Sequence, residues 1–180
     1  MNRVVIETRR LKLICCDEAM LLAAIESDQA IGKLLGVNAA RPWTENNERS
    51  FRFSLEKISS HPEEKKWWTY FHLLKKGNLL TGSCGFKGKP DENGTVEIGY
   101  EVARDYRNHG IATEIARALI EFAFSHDEVK LVCAHTLPEE NASVRVLRKC
   151  GMQFSGESSD DDVGKVWRWE LSKNSLNLNS

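Results

Sequence analysis

The sequence lacks the features of a membrane protein or a nucleic-acid-binding protein. No apolar run approaches the ~18 residues that a transmembrane helix needs, and the N-terminus MNRVVIETRRLKLICC has no signal-peptide stretch. The formal net charge is only −1, which provides no general attraction for nucleic acid or for an anionic membrane surface. We therefore expect a cytoplasmic protein that has neither nucleic acid nor membrane as a partner.

Signs of disulfides and of metal sites are also missing. The five cysteines are odd in number and include no C-x-x-C pair, which fits reduced thiols better than a disulfide framework. The five histidines are scattered without the spacing of metal ligands. We therefore predict no metal site.

The composition is that of an ordinary globular domain. The chain has 180 residues, of which 41% are hydrophobic and 28% are charged, and this length can bury a sizeable core. No linker, repeat or low-complexity segment divides it. We predict a single domain over residues 1–180, with its core at about 6–171 and a polar tail at 172–180.

Hydrophobic periodicity predicts strands and helices in mixed order. The predicted strands are 9–15, 67–77, 78–89, 95–103, 129–137, 152–158 and 164–172. The predicted helices are 17–27, 28–36, 45–59, 109–125 and 139–151. Thr44 is the expected cap of the third helix, and the strands between 67 and 103 should form an antiparallel meander with a tight turn at Lys76, Gly77 and Asn78. This order indicates an α/β class, α+β in character, with a mixed sheet.

The segment DYRNHGIATEIARAL, residues 105–119, places a glycine-bearing loop before the most regular helix. Walker A, G-x-G-x-x-G and kinase signatures do not fit the sequence, which argues against a nucleotide-dependent kinase or dehydrogenase. Arg107, Gly110 and Ala112 remain as an R-x-x-G-x-A run. A helix start has unpaired N–H groups and a partial positive charge, and small residues let a diphosphate approach the backbone. The residues alone leave open a phosphate site or a plain helix start.

Three further segments carry a family resemblance. VEIGYEVARDY contains the strand before this loop, LPEENASVRVLRKCGM follows the next predicted strand, and IETRRLKL lies near the N-terminus. In this order and spacing they resemble the GNAT superfamily of acyl-CoA-dependent N-acetyltransferases, and most closely its ribosomal-protein-alanine (RimJ/RimL-like) branch. The resemblance covers roughly residues 6–171. It implies the GNAT acyltransferase fold, in which a mixed central sheet flanked by helices splays at the acetyl-CoA site.

The resemblance also implies where acetyl-CoA, the co-substrate, binds. Backbone groups at Val102 and Ala103 would pair with the pantetheine amides as an added strand does, and the side chain of Asn141 would contact the pantetheine arm. The following loop would hold the pyrophosphate through its backbone. The residues of that loop are Arg107, Asn108, His109, Gly110, Ile111, Ala112 and Thr113. The thioester is already activated, so no metal is needed.

Acetyl transfer requires a neutral amine. At pH 7 roughly one in ten α-amino groups is neutral, against well under one in a thousand lysine amines, so a base is useful. Glu97 is our candidate base; its other possible role is pairing with a lysine on a neighbouring strand. Glu101, on the same strand face, is a weaker candidate. The N–H of Val102 is the candidate donor to the oxyanion.

The donor that protonates the leaving thiolate is less evident. The family commonly has a tyrosine four residues before the glycine that corresponds to Gly151, but Leu147 stands there. Ser143, one helical turn earlier, is our candidate donor, with helix capping as its alternative role. His135 and Trp43 either face the acceptor site or have structural roles, and structural roles are more common for such residues.

We therefore expect an N-acetyltransferase that moves the acetyl group of acetyl-CoA to a primary amine by direct attack in a ternary complex. The acceptor is either a protein N-terminus or a small amine such as a polyamine, amino acid or antibiotic. The missing tyrosine leaves a non-catalytic, CoA-binding regulatory module as the alternative. The branch resemblance is also compatible with a homodimer.

Overall fold

The computed structural model of the protein describes residues 3–45, 48–161 and 163–176. The strands are β1 (Val5–Glu7), β2 (Leu11–Cys15), β3 (Asn38–Ala39), β4 (Thr69–Leu74), β5 (Leu79–Phe86), β6 (Thr95–Val102), β7 (Leu131–Thr136), β8 (Gln153–Asp160) and β9 (Gly164–Ser172). The helices are α1 (Glu18–Glu26), α2 (Asp28–Leu35), α3 (Glu48–Ser60), α4 (Ile111–Phe124), α5 (Ala142–Lys149) and α6 (Lys173–Leu176). Two 3₁₀ helices span Pro62–Trp67 and Arg104–Tyr106.

These nine strands form one mixed sheet in the order β1-β2-β4-β5-β6-β7-β9-β8, with β3 beside β5. Strands β4, β5 and β6 form the predicted antiparallel meander, whereas β6 and β7 run parallel. At the tight turn between β4 and β5, Gly77 has φ 84° and Asn78 has φ 46°, the left-handed conformation that such turns require. The mixed α/β class is confirmed.

Two apolar clusters cover opposite faces of the sheet. Helices α4 and α5 pack on one face, where Ile111, Ile115 and Leu119 are buried at the spacing that the sequence predicted. Helices α1 to α3 pack on the other face. Neighbouring residues of β4 show the division, because Tyr70 belongs to the first cluster and Phe71 to the second.

Two predicted boundaries are wrong. Trp67 ends a 3₁₀ helix instead of beginning a strand, because Pro62 favours a helical start and β4 begins only at Thr69. Thr44 does not cap α3, which begins at Glu48; its hydroxyl donates instead to the carboxylate of Glu101 at 2.8 Å.

The ends and the side chains of other predicted features can also be placed. Strand β1 was not predicted, and α6 occupies part of the predicted polar tail; residues 177–180 lie outside the described part of the chain. Trp43 is fully buried in the α1–α3 cluster, so its role is structural. All five cysteines are free thiols. In the described segments, no helix is long and apolar enough to cross a membrane.

Candidate active site

Strands β6 and β7 separate after three paired residues each. Backbone pairing joins residues 95–97 to 131–133. Beyond that point β6 continues beside β5 as far as Val102, and β7 continues beside β9 as far as Thr136. The two strands therefore enclose a wedge-shaped opening, called the cleft below, whose vertex lies between Glu97 and Cys133. The splayed sheet that the sequence resemblance implied is confirmed.

The open edge of β6 turns backbone groups of Val102 toward the cleft. The next residue, Ala103, donates its N–H to the carbonyl of Thr81 on β5 at 2.8 Å. Since successive strand residues direct their backbone groups to opposite edges, those of Val102 face the cleft. The Nε of Arg107 donates to the Val102 carbonyl at 2.8 Å. The N–H of Val102 is therefore the group of this residue that a ligand can reach without displacing Arg107.

The loop after β6 leads into an uncapped helix start. Gly110 is the N-cap residue of α4, with φ 74°, and no side chain of the described residues caps this helix. Asn108 is also left-handed, with φ 63°. A left-handed residue beside a right-handed one, as Gly110 stands beside the helical Ile111, gathers backbone N–H groups into an anion-binding concavity, and the helix start adds partial positive charge. The predicted loop can therefore receive an anionic group on its backbone.

An arginine distant in sequence holds this loop in place. Arg10, before β2, donates from Nη1 to the carbonyl of His109 at 2.8 Å and from Nε to Glu114 at 2.6 Å. Thr8 donates to the same carboxylate at 2.6 Å. Burial acts to raise the pKa of Glu114, but the hydrogen bonds from Thr8 and Arg10 outweigh it and lower the pKa. Sequence reasoning missed Arg10, because no local pattern connects positions that are about a hundred residues apart.

The start of α5 assigns the capping role to Asn141. Its Oδ1 accepts a hydrogen bond from the N–H of Val144 at 3.0 Å, so the alternative role considered for Ser143 belongs to Asn141. The predicted contact between Asn141 and a pantetheine arm then falls to its amide nitrogen. Leu147, where the family has a tyrosine, is 1% exposed and belongs to the apolar cluster of α4 and α5.

A tyrosine nevertheless lies beside Ser143. Tyr100 shares the face of β6 that packs toward α4 and α5, with Ile98 and Val102. Its hydroxyl is buried and has no hydrogen-bond partner within geometric limits among the described residues. Burial raises the pKa of Tyr100, and the adjacent Ser143 side chain lowers it in part. The sequence search considered only the helical position of the tyrosine; the period-two pattern of EIGYEV could have identified Tyr100.

Glu97 occupies the vertex, on the opposite face of the sheet. Its Oε1 lies 2.5 Å from Lys87 Nζ and 3.0 Å from His135 Nδ1. Burial raises the pKa of the adjacent Cys133 thiol to about 11, which keeps it protonated. Arg168 and Glu170, which form an ion pair at 2.7 Å, lie near them. All six side chains form what we call the polar cluster, defined as Lys87, Glu97, Cys133, His135, Arg168 and Glu170.

Farther along the same face, Glu101 borders the wide end of the cleft. Its carboxylate accepts hydrogen bonds from Thr44 at 2.8 Å and from the N–H of Glu45 at 2.6 Å. Burial raises the pKa of Glu101, and these two hydrogen bonds lower it in part. Between Glu97 and Glu101 stands Gly99, where an added Cβ would meet no atom within 4 Å. The face therefore has an open notch at Gly99, between two carboxylates.

The chain matches the model of the Acetyltransferase (GNAT) domain over residues 10–153. The uncharacterized N-acetyltransferase YjdG of Bacillus subtilis (strain 168) is 30% identical over 158 residues, covering 87% of this chain and 94% of YjdG. RimL, a ribosomal alpha-N-protein acetyltransferase solved in complex with coenzyme A, superposes with a TM-score of 0.69 at 15% identity, covering 94% of this chain and 98% of that chain.

A chimeric spermidine N-acetyltransferase SpeG from Vibrio cholerae has a TM-score of 0.68 at 15% identity, covering 95% of this chain and 99% of that chain. At such identities the two solved structures show a shared fold, and RimL is in line with the RimJ/RimL-like branch that the sequence resembles. The splayed sheet, the helix start and the family match agree. The chain belongs to the GNAT acetyltransferase family.

Proposed function

We propose that the protein transfers the acetyl group of acetyl-CoA to a primary amine. The observation that carries this proposal is the continuity of the cleft with the helix start, because the open edge of β6 leads directly to the uncapped α4. A pantetheine arm can add to that edge as an extra strand, and a pyrophosphate can lie on the N–H groups of residues 107–113. The coenzyme A complex of RimL, which shares the fold, supports this placement.

The side chains around the cleft supply both proton transfers that the reaction needs. The carboxylate of Glu97, at the vertex, takes part in removing the proton of the amine. The N–H of Val102 stabilises the oxyanion. Ser143 donates a proton to the leaving thiolate, and Tyr100, whose raised pKa keeps it protonated, stands beside Ser143 as the proton source.

The acceptor amine enters on the face of the notch at Gly99. This face lies opposite α4 and α5, so an amine can reach a thioester in the cleft without crossing the pantetheine arm. The carboxylates of Glu97 and Glu101 border the notch and attract a cationic amine. A protein N-terminus and a small amine both satisfy this chemistry, as the ribosomal-protein and spermidine enzymes of this fold illustrate. We place the reaction in the cytoplasm, in keeping with the free cysteines.

Two measurements test the proposal. Binding of coenzyme A should raise the thermal unfolding temperature, and amine-dependent release of CoA from acetyl-CoA should follow with a panel of α-amino peptides, polyamines and amino acids. Binding without turnover by any amine would favour the non-catalytic regulatory module. Absence of binding would reject both functions.

A further inference from the structure

We propose that His135 accepts the proton of the acceptor amine and that Glu97 holds His135 in position, so that the two form a proton-accepting pair at the vertex of the cleft. This inference rests on the proposed acetyl transfer and assigns its base. The pair spans the two strands that separate, since Glu97 is the last paired residue of β6 and His135 lies two residues beyond Cys133 on β7. The distance from His135 Nδ1 to Glu97 Oε1 is 3.0 Å.

The contact determines which imidazole nitrogen can act as the base. Glu97 Oε1 has no hydrogen-bond partner among the described residues, so its contact with Nδ1 is an ion-pair contact by distance. Because a carboxylate attracts an N–H and repels a lone pair, the hydrogen of the neutral ring belongs on Nδ1. Nε2 then has the lone pair, and it makes no hydrogen bond to the described residues. This is the arrangement in which a carboxylate orients a histidine for proton abstraction and stabilises the imidazolium that forms.

Charged side chains of both signs surround the pair. Lys87 lies 2.5 Å from the same oxygen of Glu97, and Arg168, the cross-strand neighbour of His135 on β9, pairs with Glu170 at 2.7 Å. Two cations and two carboxylates therefore lie near the imidazole. Cys133 remains a neutral thiol between them.

The pair is also accessible from the acceptor face. The apolar cluster of α1 to α3 covers β4 and β5 on this side but includes no described residue of β7 or β9. The side chains of His135 and Glu97 are 17% and 21% exposed to solvent. Gly99 leaves open space two residues from Glu97 on the same face. An amine in the notch can therefore approach the imidazole.

The proton count of the reaction closes with this pair. The acceptor enters as an ammonium and gives one proton to Nε2 of His135. The neutral nitrogen attacks the thioester carbon, forming the C–N bond, and the C–S bond breaks to release the thiolate. The nitrogen loses its second proton as the amide forms, and that proton restores the hydroxyl of Ser143, which gives its own proton to the thiolate. Each turnover then releases one proton, which His135 passes to solvent.

The test measures kcat/KM against pH for the amine that the panel identifies as the best acceptor, with the wild type and His135→Gln. We expect a loss of about 10²- to 10⁴-fold at pH 7 in the variant. The loss should shrink about tenfold per pH unit at higher pH, because the amine then becomes neutral without a base. The affinity for coenzyme A should not change. His61→Gln, at an exposed histidine, is the matched control. An unchanged pH profile in His135→Gln would overturn the assignment.

Two further variants separate the pair from a merely structural ion pair. In Glu97→Gln the decrease of kcat/KM toward acid pH, called the acidic limb, should move to lower pH, because the imidazolium loses its negative neighbour. If Glu97 itself were the base, the limb would disappear. In Lys87→Met the limb should move to higher pH, because a cation is removed. If Glu97 only anchored Lys87, the limb would not move in either sense.

The ring nitrogens of His135 give a readout that does not depend on turnover. In ¹⁵N-histidine-labelled wild type, at a pH where the imidazole of His135 is neutral, long-range ¹H–¹⁵N spectra should show the hydrogen on Nδ1. A hydrogen on Nε2 would overturn the pair even in an active enzyme. If coenzyme A binds and no amine reacts, the proposed function fails and with it the role of His135 as a base, whatever the tautomer.

Discussion

Arg107 donates from Nε to the carbonyl of Val102 at 2.8 Å, and its Nη2 lies 3.3 Å from Glu45 Oε2. One guanidinium therefore connects the anion-binding loop, the strand edge at the cleft and the segment that bonds Glu101. The cation predicted at the loop entrance is present, but its first contacts are with protein groups. Binding of a pyrophosphate must share or displace them.

Removing this cation should weaken donor binding. For Arg107→Ala we expect the dissociation constant of coenzyme A to rise about 10- to 100-fold, because hydrogen bonds to charged groups contribute about 1.5–3 kcal/mol. Titration calorimetry measures the effect directly. Arg104→Ala is the matched control, since Arg104 is largely exposed and its Nε lies 3.8 Å from Glu45. Equal, small effects of the two variants would remove Arg107 from the donor site.

Filling the notch with a side chain should block access of the acceptor amine without weakening the binding of coenzyme A. Gly99 lies within β6 and has open space beside it, so Gly99→Val should fit the strand while its side chain occupies the amine's path. We expect kcat/KM for the amine to fall at least about tenfold, while the affinity for coenzyme A stays within about twofold. Gly99→Ala should show a smaller loss. Loss of coenzyme A affinity in Gly99→Val would place the notch on the donor side instead.

The two hydroxyls beside α5 should act on the chemical step. Tyr100→Phe and Ser143→Ala should each lower kcat, by about 10- to 100-fold if thiolate protonation limits the rate, with little change in KM for acetyl-CoA. Because the hydroxyls act in series, the double variant should lose little more than either single variant. Multiplicative losses would show that the two hydroxyls act independently, and normal kcat values would remove both from catalysis.

A buried histidine of β4, His72, should make stability depend on pH. Burial lowers the pKa of His72 to about 4, and its Nε2 lies 2.8 Å from the carbonyl of Glu101. The histidine of the unfolded chain takes up its proton near pH 6.5. Above that pH His72 is neutral in both states and does not lower the free energy of unfolding, which is the stability meant here. It should fall by about 3 kcal/mol as the pH decreases from 6.5 to 4.

Urea unfolding across this pH range, with wild type and His72→Gln, tests the assignment. The glutamine variant should be less stable at pH 8 but should show a shallower loss toward acid pH. Identical slopes in the two proteins would mean that His72 does not cause the pH dependence.

Local patterns predicted the elements that surround the proposed acetyl-CoA site. The helical period from Ile111 to Leu119, the glycine of the loop and the alternation of β6 are properties of neighbouring residues, so the sequence contains them. The same is true of the tight turn at Gly77 and Asn78. Arg107 was predicted at the loop entrance, and the structure adds which protein groups it contacts.

Contacts between distant segments could not be predicted in this way. Thr44 has the pattern of a helix cap, but Glu101, 57 residues away, takes its hydroxyl. His135 was considered for the acceptor site, but no local pattern linked it to Glu97, because Glu97 lies on a neighbouring strand and meets it only through the strand register. Asn141, expected at the pantetheine, also caps α5, a role that the sequence search had considered for Ser143.

The most direct test of the account is acetyl transfer itself, followed as CoA release and as acetylated product by mass spectrometry, with wild type and His135→Gln across the amine panel at pH 7 and pH 9. We expect amine-dependent product with wild type at both pH values, and a variant whose defect is large at pH 7 and much smaller at pH 9. Coenzyme A binding without acetylated product from any amine would contradict both the proposed acetyl transfer and the role of His135 as its base.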